Sequence, residues 1–131
     1  MTGRGGGDTL EGTAKADQIS GRGGADVLRG RGGKDRLRGG PGDDEIKGAK
    51  GRDRLIAGGG ADILLGGKGR DTLNPGKGDD KVNMRDGVEL NAPGPDVIRA
   101  RDGEPDQISC GAGKDKAFVD ARRTAYLTAR R

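Results

Sequence analysis

The chain has no histidine and no tryptophan, and its 131 residues include only one cysteine, one tyrosine and one phenylalanine. Zinc sites, haem sites and most nucleophilic triads need histidine or several cysteines, so the composition excludes most of these sites. Leu, Ile, Val and Phe together account for only 21 residues, and no apolar run approaches the length of a membrane span or a signal-peptide core. Burial of this small apolar surface compensates only a small part of the conformational entropy that the chain loses on folding. We therefore expect no conventional enzyme core, no catalytic activity and no membrane span.

Glycine is abundant instead, with 29 residues, and aspartate recurs with a fixed period of nine. An aliphatic residue stands two positions after each of these aspartates, and glycine stands two positions before all of them except Asp17, where Lys15 replaces it. A disordered chain has no need of such phase, so the period indicates a repeat architecture. The phased aspartates are Asp8, Asp17, Asp26, Asp35, Asp44, Asp53, Asp62, Asp71 and Asp80.

The repeating unit reads Gly-Gly-x-Gly-x-Asp-x-aliphatic-x and is clearest at 39–47 and 66–74. Over 3–83 the chain resembles the calcium-binding nonapeptide repeats of the RTX family. The resemblance implies that six residues of each unit form a turn and three form a short strand. It also implies that two units make one coil of a parallel β-roll, with calcium between stacked turns. The predicted fold is thus an all-β parallel β-roll, a solenoid of the β-helix kind.

The chemistry of the repeat agrees with this resemblance. Glycine adopts positive φ readily, so a glycine-rich hexapeptide can bend sharply and direct carbonyl groups inward. Calcium takes six to eight oxygen ligands from carboxylates and backbone carbonyls, and each turn offers both. A roll lined only by Leu and Ile is thin, so we expect metal binding to supply folding free energy.

With two repeats in each coil, the aspartates of one edge are 18 residues apart. One edge then stacks Asp8, Asp26, Asp44, Asp62 and Asp80, and the other stacks Asp17, Asp35, Asp53 and Asp71. If each gap between turns holds one ion, the regular repeats bind up to about seven calcium ions. The turn at 12–17 has lost two glycines, so we expect its gap to bind weakly or not at all.

After Val82 the pattern weakens. We interpret 84–117 as degenerate repeats that continue the solenoid, with Glu104 at a glycine position; a segment that closes the last coil is the alternative. Residues 118–131 are expected to form a capping strand, a helix or a tail. The candidate metal ligands of the degenerate part are Asp96, Asp106 and Asp115.

The formal net charge is +4, whereas members of the RTX family are typically acidic. Lys34, Arg52 and Arg70 directly precede phased aspartates. They either point into solvent or lower calcium affinity by repulsion. Filled calcium sites would make the protein strongly positive, which favours an anionic partner such as a surface polysaccharide, another protein or nucleic acid. The alternative is that fewer of the calcium sites fill.

The function predicted from these features is a non-catalytic calcium-binding module with a structural or adhesive role. The first alternative is a subunit of a calcium-stabilised filament, since a roll has unpaired strand edges at its ends and can associate head to tail. A second alternative is nucleic-acid binding. It rests on the GRGG segments 3–6, 21–24 and 30–33, but phased aspartates and scarce aromatics disfavour it.

Three further expectations concern single residues and the location of the protein. Asp43 and Asp79 stand beside phased aspartates and are read as solvated turn residues rather than acid–base partners. Cys110 is read as a small buried residue, or as a cysteine that pairs with another chain. Many sites of modest affinity fill at extracellular calcium levels, so we expect a secreted, extracellular or cell-surface protein.

Overall fold

The chain folds into short parallel strands joined by tight turns. The computed structural model describes residues 1–69, 71–78, 80–83, 97–100, 107–112, 116–119 and 126–130, and these residues include no helix. The strands are β1 (Thr9–Glu11), β2 (Gln18–Ser20), β3 (Val27–Arg29), β4 (Arg36–Arg38), β5 (Glu45–Lys50), β6 (Arg54–Gly59), β7 (Ile63–Lys68), β8 (Thr72–Lys77), β9 (Lys81–Asn83), β10 (Val97–Ala100), β11 (Gln107–Ala112), β12 (Lys116–Val119) and β13 (Tyr126–Arg130).

Alternate strands form two separate sheets. The odd sheet has the order β1-β3-β5-β7-β9-β11-β13, and the even sheet has the order β12-β10-β8-β6-β4-β2. Every pairing is parallel, and over β1–β9 partners lie 18 residues apart, as in Leu10 with Leu28 and Leu37 with Leu55. Each coil therefore contains two nine-residue repeats, and the predicted parallel β-roll is confirmed.

Over β2–β9 the core is a double column of aliphatic side chains, with one Leu, Ile or Val from each strand and Ala57 as a second residue from β6. A three-residue strand that follows an aspartate can direct only its central residue inward, because side chains alternate between the two faces. Leu28, Ile46 and Leu64 stack in the odd sheet, and Leu37, Leu55 and Leu73 stack in the even sheet. All six have at most 1% exposure. Apart from Ala57, this column is one residue wide per strand, so it buries little apolar surface.

The turns from Gly21 to Asp80 share a backbone conformation in which the second and fourth residues have positive φ. Gly24 shows why the fourth position is glycine: its φ is 103°, and an added Cβ would lie 2.5 Å from the carbonyl carbon of Gly6 in the preceding coil. At the second position three turns carry other residues at positive φ, namely Arg22 (81°), Arg31 (74°) and Ala49 (72°). These side chains strain the backbone.

We expect Arg22→Gly to stabilise the folded coil by about 1 kcal/mol. Relief of the left-handed strain contributes about 1–2 kcal/mol, and the greater entropy of glycine in the unfolded chain offsets part of it. Arg29→Gly is the control, since Arg29 lies in β3 without positive φ and glycine should destabilise it there. Thermal unfolding of both variants in saturating calcium measures the difference. Equal destabilisation by the two substitutions would contradict the assignment of strain.

The first residues of the chain cover the outer edge of β2. The amino group of Met1 donates to the carbonyl oxygen of Gln18 at 2.7 Å. The backbone N–H of Gly3 donates to the carbonyl oxygen of Ser20, also at 2.7 Å. In the odd sheet, β1 pairs only with β3 among the described strands. At this end of the solenoid, residues 1–3 therefore cover the edge of the even sheet, whereas the outer edge of β1 in the odd sheet has no partner strand among those described.

Strands β10 to β13 extend both sheets beyond the regular repeats. In the even sheet β10 pairs with β8 and β12, and in the odd sheet β11 pairs with β9 and β13. The assignment of 84–117 to degenerate repeats and of 118–131 to a cap or tail stays a prediction. The side chain of Cys110, in β11, lies outside the described residues, as do Arg70 and Asp79.

Candidate metal centres

The phased aspartates form two ladders along the edges of the solenoid. On one edge, the backbone N–H of Asp8 donates to Oδ1 of Asp26 at 2.8 Å. The same bond, at 2.8–2.9 Å, joins each later aspartate to the one 18 residues further along. The other edge repeats it from Asp17 to Asp71. The structure therefore brings all nine phased aspartates into the two predicted stacks.

Most of these carboxylates are buried. From Asp26 onward every phased aspartate up to Asp80 has at most 2% exposure. The repeat enforces this burial, because each aspartate ends one turn and the turn of the next coil stacks upon it. Buried aspartates are rare unless a cation or several donors compensate them.

The second carboxylate oxygen defines the candidate site. Oδ2 is buried and has no hydrogen-bond partner in five of the described aspartates, Asp26, Asp35, Asp44, Asp53 and Asp62. An unsatisfied buried acceptor costs about 1–3 kcal/mol, and a charged one costs more. A row of such oxygens is therefore unstable in an ionised chain unless a cation binds to it.

The first two turns are different. Oδ2 of Asp8 accepts a hydrogen bond from the backbone N–H of Arg4 at 2.5 Å. Oδ2 of Asp17 accepts from the backbone N–H of Thr13 at 2.6 Å and from its hydroxyl at 3.0 Å. The Oδ2 atoms of these two carboxylates therefore find hydrogen-bond donors within their own turns. Weak calcium binding beside Asp17 stays a prediction, and Thr13 gives it a physical reason.

The surroundings of the buried carboxylates disfavour their charged form. Burial raises the pKa of Asp44 and Asp62 from 3.8 to about 6, and that of Asp53 to about 7. Burial also raises the pKa of Asp35. The backbone N–H bond lowers each pKa in part, while repulsion from the aspartate of the preceding coil raises it further. These groups therefore take up protons at higher pH than ordinary aspartates do, and a bound cation would favour their charged form.

Carbonyl oxygens converge with the carboxylates at the first glycine of a turn. A Cβ added to Gly48 would lie 2.5 Å from Oδ2 of Asp53 and 2.9 Å from the carbonyl oxygen of Gly66. At Gly12 the corresponding distances are 2.6 Å to Oδ2 of Asp17 and 2.8 Å to the carbonyl oxygen of Gly30. A carboxylate oxygen and a carbonyl oxygen from adjacent coils thus approach one point, and these hard oxygens fit calcium.

Carboxylates alone cannot form the whole coordination shell. No group of three or more His, Cys, Asp or Glu side chains comes together among the residues that the structure describes. An ion between two turns would therefore take one or two aspartates and complete its shell with backbone carbonyls or water. Few charged ligands per ion imply modest affinity for each site.

Asp43 has a role that the repeat did not reveal. Its side chain is exposed, and Oδ1 accepts a hydrogen bond from the backbone N–H of Ala61 in the next coil at 2.9 Å. Its charge also contributes to the raised pKa of Asp44 and Asp62. The sequence offered one signal of this contact, because Asp43 and Ala61 are 18 residues apart and so occupy the same position in adjacent coils. The predicted ligands Asp96, Asp106 and Asp115 lie outside the described residues.

The stacked turns, the buried aspartate ladders and the parallel sheets define a calcium-binding β-solenoid class of protein. Four overlapping segments, 2–37, 29–64, 38–73 and 48–82, match the RTX calcium-binding nonapeptide repeat, and the chain belongs to that family. No curated protein and no solved structure matches the chain. Among the described residues, no helix is both long and apolar enough to cross a membrane.

Proposed function

We propose that the chain is an extracellular calcium-binding module that folds when calcium binds and that serves a structural or adhesive role without catalysis. The single observation that carries this proposal is the row of buried Oδ2 atoms without hydrogen-bond partners at Asp26, Asp35, Asp44, Asp53 and Asp62. Bound calcium supplies the positive charge that these oxygens need. The aspartates and the carbonyl oxygens of the turn glycines hold the ion and fix the spacing of the coils.

The thin aliphatic column explains why metal and folding are coupled. A column with one large aliphatic side chain per strand gives little apolar surface against the entropy of a glycine-rich chain. Calcium binds the folded stack and not the unfolded chain, so its binding free energy adds directly to stability. Modest sites of this kind fill at extracellular calcium concentrations and stay empty at cytosolic ones. The chain is therefore unfolded where calcium is scarce and ordered outside the cell.

A calcium titration tests this proposal. Far-ultraviolet circular dichroism should change from a coil spectrum to a β spectrum as free calcium rises from micromolar to millimolar levels. Magnesium is the control, because it demands tighter octahedral geometry and dehydrates reluctantly, and should not induce the change. Folding complete at cytosolic calcium levels would contradict an extracellular role, and equal folding in magnesium would contradict a calcium site.

A calcium-stabilised filament is the second candidate. It is favoured by β1, which pairs only with β3 among the described strands and so leaves an edge where a second copy can add a strand. The pairing of Met1 and Gly3 with β2 opposes it, because it covers the neighbouring edge of the even sheet. Sedimentation velocity in millimolar calcium separates the two candidates: a filament gives concentration-dependent large species, and a module gives a single monomer.

A further inference from the structure

The outer surface of the even sheet carries positive charge without negative charge. Arg36 and Arg38 extend from β4, Arg54 extends from β6, and Lys34 and Arg52 stand in the adjoining turns. All five side chains are exposed. We call these five residues the basic face. The other outward positions of β2 and β8 are uncharged, namely Gln18, Ser20, Thr72 and Asn74.

The basic face has no internal compensation. None of its five cations makes an ion pair or a side-chain hydrogen bond with another residue of the described part of the chain, whereas Arg31 pairs with Glu11 at 2.6 Å. Arg36 and Arg54 are register partners in adjacent strands. Adjacent strands lie about 4.8 Å apart, and like charges placed directly opposite destabilise a sheet. The fold therefore tolerates a repulsion that an anionic ligand would remove.

The odd sheet is an internal comparison within the same fold. Its outward positions mix both signs of charge: Glu11 is the register partner of Arg29, which also pairs with Lys47, and Glu45 and Lys81 add one charge of each sign. The 18-residue period assigns alternate repeats to opposite sheets, so the segregation of charge belongs to the even repeats alone. A mixture of charges on both sheets would keep the chain equally soluble, so solubility does not explain why the even sheet carries only positive charge.

The shape and composition of the basic face select the kind of ligand. A shallow groove of about 400 Å³ lies on it and is bordered by Arg36, Arg38 and Arg54. A second groove of about 480 Å³ also borders Arg36 and Arg54, but the ladder carboxylates Asp17, Asp35 and Asp53 line it as well. Arginine forks bind carboxylates in a bidentate way, and the amide and hydroxyl groups of Gln18 and Thr72 can bond to sugar hydroxyls. Residues 1–83 contain no aromatic side chain on which a nucleobase could stack.

We infer that the basic face binds a linear polysaccharide whose sugars carry carboxylates, with the polymer lying across β4 and β6. This inference rests on the proposed function, because the face exists only in the folded, calcium-loaded coil. The spacing of about 4.8 Å between strands repeats the cations along the solenoid axis, which suits a regular polymer with anionic groups along its length. Bound calcium adds further positive charge and strengthens the attraction.

Binding of short oligogalacturonides to the calcium-loaded full chain tests the inference. Oligomers too short to gel with calcium are titrated into the parent, into Arg36→Gln/Arg54→Gln, and into the control Arg29→Gln/Lys81→Gln, which loses the same net charge from the odd sheet. The even-sheet variant should bind about tenfold more weakly than the parent, and the control should stay within about twofold. The even-sheet variant should melt at the same temperature or higher, because repulsion is relieved.

Several results would overturn the inference. They are no binding by the folded parent, an equal loss of affinity in both double variants, equal binding of a neutral dextran oligomer, or tighter binding of a single-stranded oligonucleotide. The last result would assign the face to nucleic acid. Circular dichroism of the same samples separates the two proposals. A chain without β signal in calcium overturns the proposed function, whereas a folded chain that ignores the oligogalacturonide overturns this inference alone.

Discussion

Asp44→Asn should change stability in opposite directions with and without calcium. Asp44 stands between Asp26 and Asp62 in its ladder, so its carboxylate borders two gaps between turns. Asparagine retains an oxygen that accepts the bond from the backbone N–H of Asp26 but removes a buried charge. Near neutral pH the calcium-free coil should therefore be at least as stable as the parent, while the calcium needed for half-folding should rise about tenfold or more.

Asp43→Asn is the matched control for that experiment. It removes the same charge one residue away, from an exposed side chain whose Oδ1 accepts a single hydrogen bond. Its calcium midpoint should stay within about twofold of the parent. Circular dichroism during calcium titration measures both midpoints. Equal midpoints for Asp44→Asn and the parent would remove Asp44 from the metal site.

Acid should partly replace calcium in stabilising the coil. In the folded chain the pKa values of Asp44 and Asp62 are about 6 and that of Asp53 is about 7, above the ordinary 3.8. Folded-state pKa values that are raised favour the fold most below about pH 4, and this stabilisation is lost as pH rises through 6 to 7. In chelator, and with enough salt to screen the basic side chains, the β signal should therefore increase as pH falls.

Calcium binding should show the opposite dependence on pH. Protons compete for the same carboxylate oxygens in the folded coil, so the calcium concentration that half-fills the sites of the folded coil should rise as pH falls from about 7.5 to about 5. Asp53→Asn removes the group with the highest of these pKa values and should flatten the upper part of the curve. Calcium binding is measured on chain that is already folded, and a half-filling concentration that does not move over this range would contradict the assignment of the buried aspartates as ligands.

The period of nine was sufficient to predict the fold. It assigns Leu28, Ile46 and Leu64 to one inward column and predicts the stacks of aspartates 18 residues apart, and both are present. The prediction succeeds because each repeat contacts only the coils before and after it, so local pattern and tertiary packing share one period.

The hydrogen-bonding of the carboxylates could not be predicted from the same pattern. Asp17 and Asp35 occupy the same repeat position, yet Oδ2 of Asp17 bonds to Thr13 and that of Asp35 is buried without a partner. The difference depends on the backbone of the turn. Between Gly21 and Asp80 the second and fourth turn residues have positive φ, and in the Asp17 turn they do not. A motif records which residues are present, but not which way each peptide faces.

The segregation of charge was visible in the sequence once the repeats were sorted by sheet. Arg36 and Arg54 are 18 residues apart, as are Lys34 and Arg52, and both pairs belong to even repeats. The net charge of +4 averages over both sheets and conceals this arrangement. Which cations lack a partner also depends on the side chains around them, and that required the structure.

Simultaneous measurement of bound calcium and of the β signal in one titration tests the central claim most directly. The chain is stripped with a chelator, calcium is returned in steps, and bound ions are counted while circular dichroism is recorded. The two curves should rise together, with several ions bound per chain when folding is complete. A full β signal and an unchanged melting temperature in chelator would contradict the claim, as would complete folding with no calcium bound.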